Sequence, residues 1–455
     1  MNDNFIPGGI REEPIPSRAR MQKNSDAEKT LITHHVISPS MTAADILLKN
    51  ASQLITLTGD NTRPRTKEGM RDLGIIANGD LWISHGQITA VGVDDGRGHD
   101  AKTVIDCTGK VVMPGFVDAH THLVFSGSRE NELAMKLKGH SYMEIQAAGG
   151  GILSTVRKTR EASNEELIAQ AMKRLDTMLL HGTTTIEAKS GYGLDPATEM
   201  RMLEVAKSLG GQHPIEIVST FMGAHAIPTE FHARREEFIN SMTAMLPEVK
   251  QKGLAEFCDV FCDKGAISLS EAEIILGVAK AAGLGLKIHA DEMENIGGSA
   301  LAARLCAISA EHLLKSSDSD IRAMAESGVI GVLLPGTPYS LMMKDYADAR
   351  KMIDSGMPVA LATDLNPNCW TESMQWVISA ACYQMRMMPA EAIVASTINA
   401  AHAVNRAGKV GSLEASKQAD VIVLDVPNFE QIPYHFGVNL AETVIKKGQI
   451  AVGGR

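Results

Sequence analysis

The chain has 455 residues, of which 44 % are hydrophobic and 22 % are charged, and its formal net charge is −10. A chain of this length can bury a large core, and its composition excludes collagen, coiled-coil and wholly disordered proteins. The negative charge argues against a surface that attracts phosphate backbones, and no apolar run approaches the roughly 18 residues of a membrane span. We therefore expect a globular protein with neither nucleic acid nor a membrane as its partner.

The first 43 residues differ in composition from the rest of the chain. They mix proline, arginine, glutamate and serine with few large apolar side chains, so we expect 1–43 to form a flexible N-terminal extension. They contain no apolar stretch of the kind that a secretory signal needs. The six cysteines are scattered without a CxxC spacing, which predicts reduced thiols and a cytoplasmic protein.

Short alternating runs near both ends of the chain predict β-strands. They occur between residues 44 and 113 and return at 419–425 and 443–452, with glycine and asparagine between them. Isolated hairpins are marginally stable in water, so the two ends are expected to pair with each other. We predict a small composite β-sandwich domain built from 44–113 and 393–455.

Residues 114–392 alternate apolar runs with amphipathic helical segments. One such helix, Ser163–His181, is opened by a capping box of Ser163 and Glu166. Eight βα units over about 280 residues predict a (β/α)₈ TIM-type barrel. A doubly wound open sheet is the alternative fold, but no GxGxxG follows any of these runs. The runs are Val111–Ala119, Thr183–Ala188, Ile215–Met222, Cys258–Cys262, Gly285–His289, Ala307–Leu313, Val329–Leu334 and Pro358–Thr363.

Polar side chains end several of these runs, where a barrel carries its active site. His120 and His122 lie two residues apart after the first run, so they point to the same side of the strand. The other polar groups that end runs are His225, His289, Glu292, His312, Asp364 and Asn366. Three imidazoles and a carboxylate from runs one, five and eight suit Zn²⁺ or iron. Alternatively, each histidine is only a polar group at a strand end, but the number of such ends favours one site.

Several longer motifs resemble a known family. The stretch VMPGFVDAHTH at 112–122 resembles the amidohydrolase superfamily. The stretches SRENE at 128–132, AGGGILSTV at 148–156, KSGYGL at 189–194, GAH at 223–225 and PYHFG at 433–437 resemble, more closely, the imidazolonepropionase family of histidine-degrading hydrolases. The resemblance covers residues 44 to 453.

The resemblance implies a metal site and a substrate site. The metal ligands would be His120, His122, His289 and Asp364, holding one Zn²⁺ or Fe³⁺ per subunit of a homodimer. The substrate would be a small anionic heterocycle, 4-imidazolone-5-propanoate, opened to N-formimino-L-glutamate. Its binding residues would be Arg129, Tyr192, His225, Glu292, Asn366, Asn368 and Cys369.

Four residues are candidates for the chemistry itself. Glu292 lies three residues beyond His289, so it can face the attacking water and pass a proton to the ring nitrogen. Asp364 is an alternative base. His225 and His312 are placed to stabilise an oxyanion or to act as an acid, and the sequence leaves their roles open.

Two other functions are alternatives to this one, and one stretch of the chain departs from the family pattern. A deaminase of the same superfamily is possible, although a neutral base needs no carboxylate clamp such as Arg129. A non-catalytic barrel scaffold is disfavoured because every ligand position is intact. After Asp364 many family members read Phe-Asn-Pro-Gly and a hydroxyl residue, whereas this chain reads LNPNCW at 365–370. Substrate contact at Asn368 and Cys369 is therefore in question.

Overall fold

The computed structural model describes residues 44–93, 100–140, 144–145 and 148–453. The extension expected at 1–43 lies outside these residues. The strands are β1 Ala44–Ala51, β2 Gln53–Ile55, β3 Ile75–Ile76, β4 Gly79–Ser84, β5 Gln87–Gly92, β6 Ala101–Asp106, β7 Val111–Pro114, β8 Phe116–Asp118, β9 Thr183–Lys189, β10 Glu216–Ala224, β11 Phe257–Cys262, β12 Gly285–Ala290, β13 Ser309–His312, β14 Ile330–Leu333, β15 Val359–Leu361, β16 Val421–Leu424, β17 Ala441–Lys446 and β18 Gln449–Val452.

The predicted barrel is confirmed. Strands β8 to β15 form one sheet in chain order, and every neighbouring pair is parallel. The first and last strands meet just beyond their ends, where the backbone N–H of Asp364 donates to the carbonyl of His120 at 3.0 Å and that of His122 donates to Leu365 at 2.8 Å. These bonds hold the two histidines and the aspartate at one end of the barrel.

The first predicted run, Val111–Ala119, is divided between two domains. Its first half, β7, pairs with β16 in the sandwich, and its second half, β8, pairs with β9 in the barrel. Gly115 separates the halves, and a Cβ there would lie 2.4 Å from the side chain of Thr184. The expected single barrel strand is therefore wrong, because the chain passes from one sheet to the other at this glycine.

The composite β-sandwich is also confirmed. One sheet has the strand order β5-β4-β1-β6, and the other has the order β18-β17-β16-β7-β2-β3, which joins strands from both ends of the chain. Leu48 and Leu81 of the first sheet share a buried cluster with Val112, Val423 and Ile445 of the second. The two sheets thus bury a small core of their own.

The α-helices cover the outside of the barrel. The capping box holds as predicted, since Ser163 N donates to Glu166 at 2.9 Å and Glu166 N donates to the Ser163 hydroxyl at 3.2 Å. Helix Pro389–Ala395 packs on β15 and includes residue 393, where the sequence predicts the boundary between barrel and sandwich. That boundary stays a prediction. The other α-helices of the described part are Asn131–Leu137, Ile152–Glu161, Asn164–Leu180, Pro196–Gly210, Arg235–Gln251, Leu269–Ala281, Gly298–Leu305, Asp318–Ser327, Gly336–Ser340, Ala349–Asp354, Met374–Met385, Ile398–Ala403 and Gln431–Tyr434.

Among the described residues, no helix combines the length and the apolar character that crossing a bilayer requires. All six cysteines lie in the described part and are free thiols.

Candidate active site

Three histidines and an aspartate converge at the carboxyl ends of the barrel strands. His120 and His122 follow β8, His289 lies in β12, and Asp364 follows β15. The ring centres of His120 and His289 are 4.5 Å apart, and those of His120 and His122 are 5.4 Å apart. An Asp364 carboxylate oxygen lies 3.4 Å from His120 Nε2 and 3.8 Å from His122 Nε2. The structure therefore brings together all four residues that the resemblance implied as metal ligands.

The backbone at this end of the barrel adopts an unusual conformation. Asp364 has a φ of +52° and His312 a φ of +72°, which are left-handed values that non-glycine residues rarely adopt. The hydroxyl of Thr337 donates a short hydrogen bond to the Asp364 carboxylate and fixes its orientation. Backbone strain of this kind is found preferentially at functional sites.

Buried carboxylates face the Nδ1 atoms of two of these imidazoles. Nδ1 of His289 lies 2.9 Å from Asp259 Oδ2, and Nδ1 of His120 is in close contact with Glu311 Oε2. His289 Nε2 is buried and has no hydrogen-bond partner among the described residues. Leaving a buried nitrogen unpaired costs about 1–3 kcal/mol, whereas a metal ion would satisfy it. The donor set of three imidazole nitrogens and one carboxylate therefore fits a metal such as zinc or iron.

Glu292 and His312 lie beside this cluster. Glu292 follows β12, and its Oε2 lies 3.6 Å from Nε2 of His312, which ends β13. Burial, aided by the nearby carboxylates of Asp364 and Asp263, raises the pKa of Glu292 to about 8. Burial also holds the pKa of His312 well below its usual value, so its ring is neutral at pH 7. At pH 7 the Glu292 carboxyl is therefore largely protonated and lies next to an uncharged imidazole, so it can donate a proton near neutral pH.

Asp263 fixes the turn that carries Glu292. Its carboxylate accepts the backbone N–H groups of Glu292 and Met293, each at 2.8 Å, and that of Glu294 at 3.1 Å. Three bonds from consecutive residues hold the turn in one conformation, so Asp263 determines where the Glu292 side chain begins.

His225 and Tyr192 cover one side of the histidine cluster. The His225 ring stacks on His122 with centres 4.9 Å apart, and Tyr192 lies 5.4 Å from His122 and 5.2 Å from His225. The Gly191 carbonyl lies 3.0 Å from His225 Nδ1, which places the hydrogen on that nitrogen. Burial, together with His289, lowers the pKa of His225 to about 3, so this ring is neutral.

Arg129 is paired with a glutamate. Its Nε and Nη2 donate to the two carboxylate oxygens of Glu132 at 2.8 and 2.7 Å, and both side chains are buried. Glu132 also accepts the backbone N–H of Gly151 at 2.8 Å. The fork of Arg129 is thus held in one orientation by Glu132, a partner that lies three residues along the chain.

A cavity of about 630 Å³ is lined in part by the loop that follows Asp364, and none of the four converging residues lines it. Arg129, Lys136, Asn368 and Cys369 are among its lining residues. Lys136 Nζ donates to Asn368 Oδ1 at 2.5 Å and to the Ser340 carbonyl at 3.2 Å. The cavity therefore has two cationic side chains on its wall, of which the sequence reasoning identified Arg129 but not Lys136.

The side chain of Asn366 holds its own loop together. It donates to the Asp364 carbonyl at 2.8 Å, and its oxygen accepts the backbone N–H groups of Asn368 at 2.8 Å and Cys369 at 3.0 Å. The backbone N–H of Asn368 is thus already used within the loop. Asn368 does not have a positive φ, so this position does not require glycine. Substrate binding by Asn366 and Asn368 stays a prediction.

Replacing Cys369 with alanine is expected to change kcat/KM by less than about tenfold, or roughly 1.4 kcal/mol. The thiol is buried, its Sγ lies 3.6 Å from the Thr363 carbonyl, and burial raises its pKa well above the usual value. A buried protonated thiol is a poor nucleophile. Steady-state kinetics of Cys369→Ala and mass spectrometry during turnover check this. A thousandfold loss, or an adduct trapped on Cys369, would contradict it.

The sequence reasoning missed a group of buried charges below the histidines. The available signal was the pairing of charged residues two positions apart in otherwise apolar strands, as at Glu187 and Lys189 and at Lys287 and His289. Side chains two apart lie on one face of a strand, so these charges had to share the barrel interior. The group consists of Glu187, Lys189, Asp259, Lys287 and Glu311, all 0–1 % exposed.

Comparison with known proteins places this architecture in a family. The model of the amidohydrolase family matches residues 111–451. An imidazolonepropionase of Geobacillus kaustophilus is 54 % identical over 416 residues, which cover 90 % of this chain and 98 % of the relative. An imidazolonepropionase of Geobacillus thermodenitrificans is 53 % identical over 415 residues with the same coverage.

Solved structures share the fold at much lower identity. An adenosine deaminase from Xanthomonas campestris with bound zinc superposes with a TM-score of 0.67 at 17 % identity, covering 91 % of this chain and 94 % of the other. This likeness shows the fold alone. From the family match and the curated relatives, the chain belongs to the amidohydrolase family and, within it, to the imidazolonepropionases.

Proposed function

We propose that this protein hydrolyses the imidazolone ring of 4-imidazolone-5-propanoate to N-formimino-L-glutamate in histidine degradation. One observation carries the proposal: His120, His122, His289 and Asp364 converge in a chain that is 54 % identical to an imidazolonepropionase. The fold supports a metal site at the carboxyl ends of the barrel strands, and the names of the relatives support the substrate class.

The direct test is a product assay on the purified, metal-loaded protein. The expected result is consumption of imidazolone propionate with stoichiometric formation of N-formimino-L-glutamate and no release of ammonia. A deaminase of the same fold would release ammonia from a heterocyclic base, and a binding scaffold would turn over neither compound. Either of those results would overturn the proposal.

The four converging side chains are proposed to hold one Zn²⁺ or Fe³⁺ per subunit. When bound, such an ion polarises the carbonyl of the scissile amide and lowers the pKa of a water molecule. His120 and His289 would bind through Nε2, because Glu311 faces Nδ1 of His120 and Asp259 faces Nδ1 of His289. Metal analysis of protein purified without added metal distinguishes zinc from iron.

The proton transfers are assigned to Glu292 and its neighbours. Glu292 accepts a proton from the attacking water and donates it to the ring nitrogen that leaves, which its position beside His312 allows. The neutral ring of His312 can donate an N–H group to the oxyanion that forms on the former carbonyl, whereas the single ring hydrogen of neutral His225 is directed to the Gly191 carbonyl. Asp364 serves as a ligand and takes over as base only if Glu292 is dispensable.

Arg129 is proposed to bind the substrate carboxylate at the wall of the cavity. Replacing Arg129 with methionine is expected to raise KM about 10- to 100-fold, because a hydrogen bond between charged groups contributes roughly 1.5–3 kcal/mol. For a substrate analogue that lacks the carboxylate, the same replacement should change KM by less than about threefold. Kinetics with both compounds check this.

A matched variant separates this role from packing. Glu132→Gln keeps the Arg129 charge but weakens its buried pair. If Glu132→Gln and Arg129→Met cause equal losses on both compounds, Arg129 serves the structure of the loop and not the substrate.

A homodimer in the cytoplasm is the proposed state of the protein. Tyr383, Tyr434 and Phe436 are 58, 70 and 66 % exposed, and the rings of Tyr383 and Phe436 are 5.9 Å apart. Exposed aromatic groups that lie together are typical of association surfaces. Six free thiols suit a reducing compartment. Light scattering on the purified protein gives the oligomeric state, and cell fractionation gives the location.

A further inference from the structure

Lys189 is a fully buried ammonium at the carboxyl end of β9. Its Nζ lies 2.7 Å from Asp259 Oδ2, 2.9 Å from Glu311 Oε2 and 3.0 Å from Glu187 Oε2. These three carboxylates come from strands β11, β13 and β9, and their side chains are also 0 % exposed. One ammonium group therefore joins three strands inside the barrel.

Two of the oxygens that Lys189 contacts also face imidazoles. Asp259 Oδ2 is the atom 2.9 Å from His289 Nδ1, and Glu311 Oε2 is the atom in close contact with His120 Nδ1. The other oxygen of each carboxylate is also bonded: Asp259 Oδ1 accepts the backbone N–H of His289 at 3.1 Å, and Glu311 Oε1 accepts the Ser309 hydroxyl at 3.0 Å. The orientations of the two imidazoles thus depend on carboxylates that share one cation.

We propose that Lys189 is a positioning residue for the metal site: it bridges Asp259 and Glu311 and so aligns the His289 and His120 rings at the same time. The inference rests on the proposed metal site. Carboxylates behind metal-binding histidines fix the ring orientation, and their loss typically costs 10- to 100-fold in metal affinity. Without the Lys189 ammonium, Asp259 and Glu311 would repel each other, and both rings would lose their fixed orientation.

Lys287 provides a matched comparison within the same cluster. It is also 0 % exposed, but its Nζ lies 2.9 Å from Glu187 Oε1 and 3.6 Å from Glu311 Oε1. These two carboxylate oxygens face no imidazole among the described residues, and Lys287 Nζ also lies 5.0 Å from the centre of the Phe257 ring. Lys189 and Lys287 therefore share residue type, burial and network, and they differ in the contact to the oxygens behind the metal ligands.

The test measures metal release from the holoenzyme. Wild type, Lys189→Met and Lys287→Met are loaded with Zn²⁺, and the rate of zinc transfer to a chromogenic chelator is recorded alongside thermal unfolding of the metal-free forms. We expect Lys189→Met to release zinc 10- to 100-fold faster than wild type, and Lys287→Met to stay within about threefold. Both variants are expected to lose thermal stability, because each leaves three buried carboxylates with a single lysine among them.

A double variant tests whether fast zinc release results from the loss of the Lys189 contacts or from the change in the net charge of the cluster. Lys189→Met combined with Glu187→Gln removes one positive and one negative charge and leaves Asp259 and Glu311 intact. Fast zinc release in this variant supports positioning by Lys189. Wild-type release rates in it, or equally fast release from Lys287→Met, would overturn the inference and indicate a general electrostatic role. The double variant also serves if the single one does not fold.

Failure of this inference is separable from failure of the proposed function. If wild type binds zinc and forms N-formimino-L-glutamate while Lys189→Met releases zinc at the wild-type rate, only the role of Lys189 is wrong. If wild type itself binds no metal or makes no product, the proposed function fails first.

Discussion

Replacing Glu292 with glutamine is expected to lower kcat by about 10²- to 10⁴-fold while the metal is retained. Glutamine preserves the size of the side chain and its place on the turn held by Asp263, but it cannot accept a proton from the attacking water. The Glu292 carboxylate is not among the four proposed metal ligands, so metal binding should survive. Kinetics and metal content of the same preparation check both halves of the expectation.

The pH dependence provides a second measure of the same residue. A base acts in its ionised form, and the Glu292 carboxyl with a pKa of about 8 ionises as the pH rises. The kcat/KM of the wild type should therefore increase with pH through this pKa, and a bound cation lowers the apparent value because it favours the carboxylate. Glu292→Gln should lose this ascending limb.

A neighbouring acid serves as the control for Glu292. Glu294 lies on the same turn but is exposed and paired with Lys264 at 2.5 Å, so Glu294→Gln should change kcat by less than about twofold. If kcat of Glu292→Gln falls by less than tenfold, or if its kcat/KM still increases with pH as in the wild type, Asp364 or His312 carries out the proton transfers.

Replacing His289 with alanine is expected to abolish metal binding and activity together while the fold survives. His289 supplies one of the three imidazoles, and the barrel core is made of other side chains, so the secondary structure should be unchanged. The loss in metal affinity should exceed the 10- to 100-fold that partners behind a ligand contribute. Metal content, circular dichroism and product formation measured on one preparation test this.

Two further variants make the His289 result specific. His181, at the end of helix Asn164–Leu180, bonds the Thr177 carbonyl at 2.9 Å, so His181→Ala should retain the metal. His312 lies within reach of His120 and Asp364 and could complete a different ligand set. If His312→Ala loses the metal and His289→Ala retains it, the ligand assignment is wrong.

The sequence by itself determined the barrel and the positions of its reactive ends. Apolar runs with helices between them are local patterns, and a polar residue at the end of a run is visible without knowledge of its neighbours. His120, His122, His289 and Asp364 could therefore be found as strand ends before their distances were known. The two-residue spacing of His120 and His122 also placed both rings on one face.

The tertiary structure decided which partners these residues have. Lys189 meets Asp259, which is 70 residues away in the chain, and Asp118 accepts two hydrogen bonds from Thr363, which is 245 residues away. Such pairs depend on the register of neighbouring strands and on how the barrel closes, which no local pattern contains.

Two other features depended on competition between partners in the folded chain. The pair with Glu132 uses Nε and Nη2 of Arg129 and orients its guanidinium at the cavity wall, whereas the internal bonds of Asn366 use groups that the sequence offered equally to a substrate. Which partner such a group has depends on distance and burial in the folded chain, because a buried polar group is normally hydrogen-bonded to a group within reach. The sequence therefore determined the chemistry available at the strand ends, and the tertiary contacts decided which groups face the site and which hold it in place.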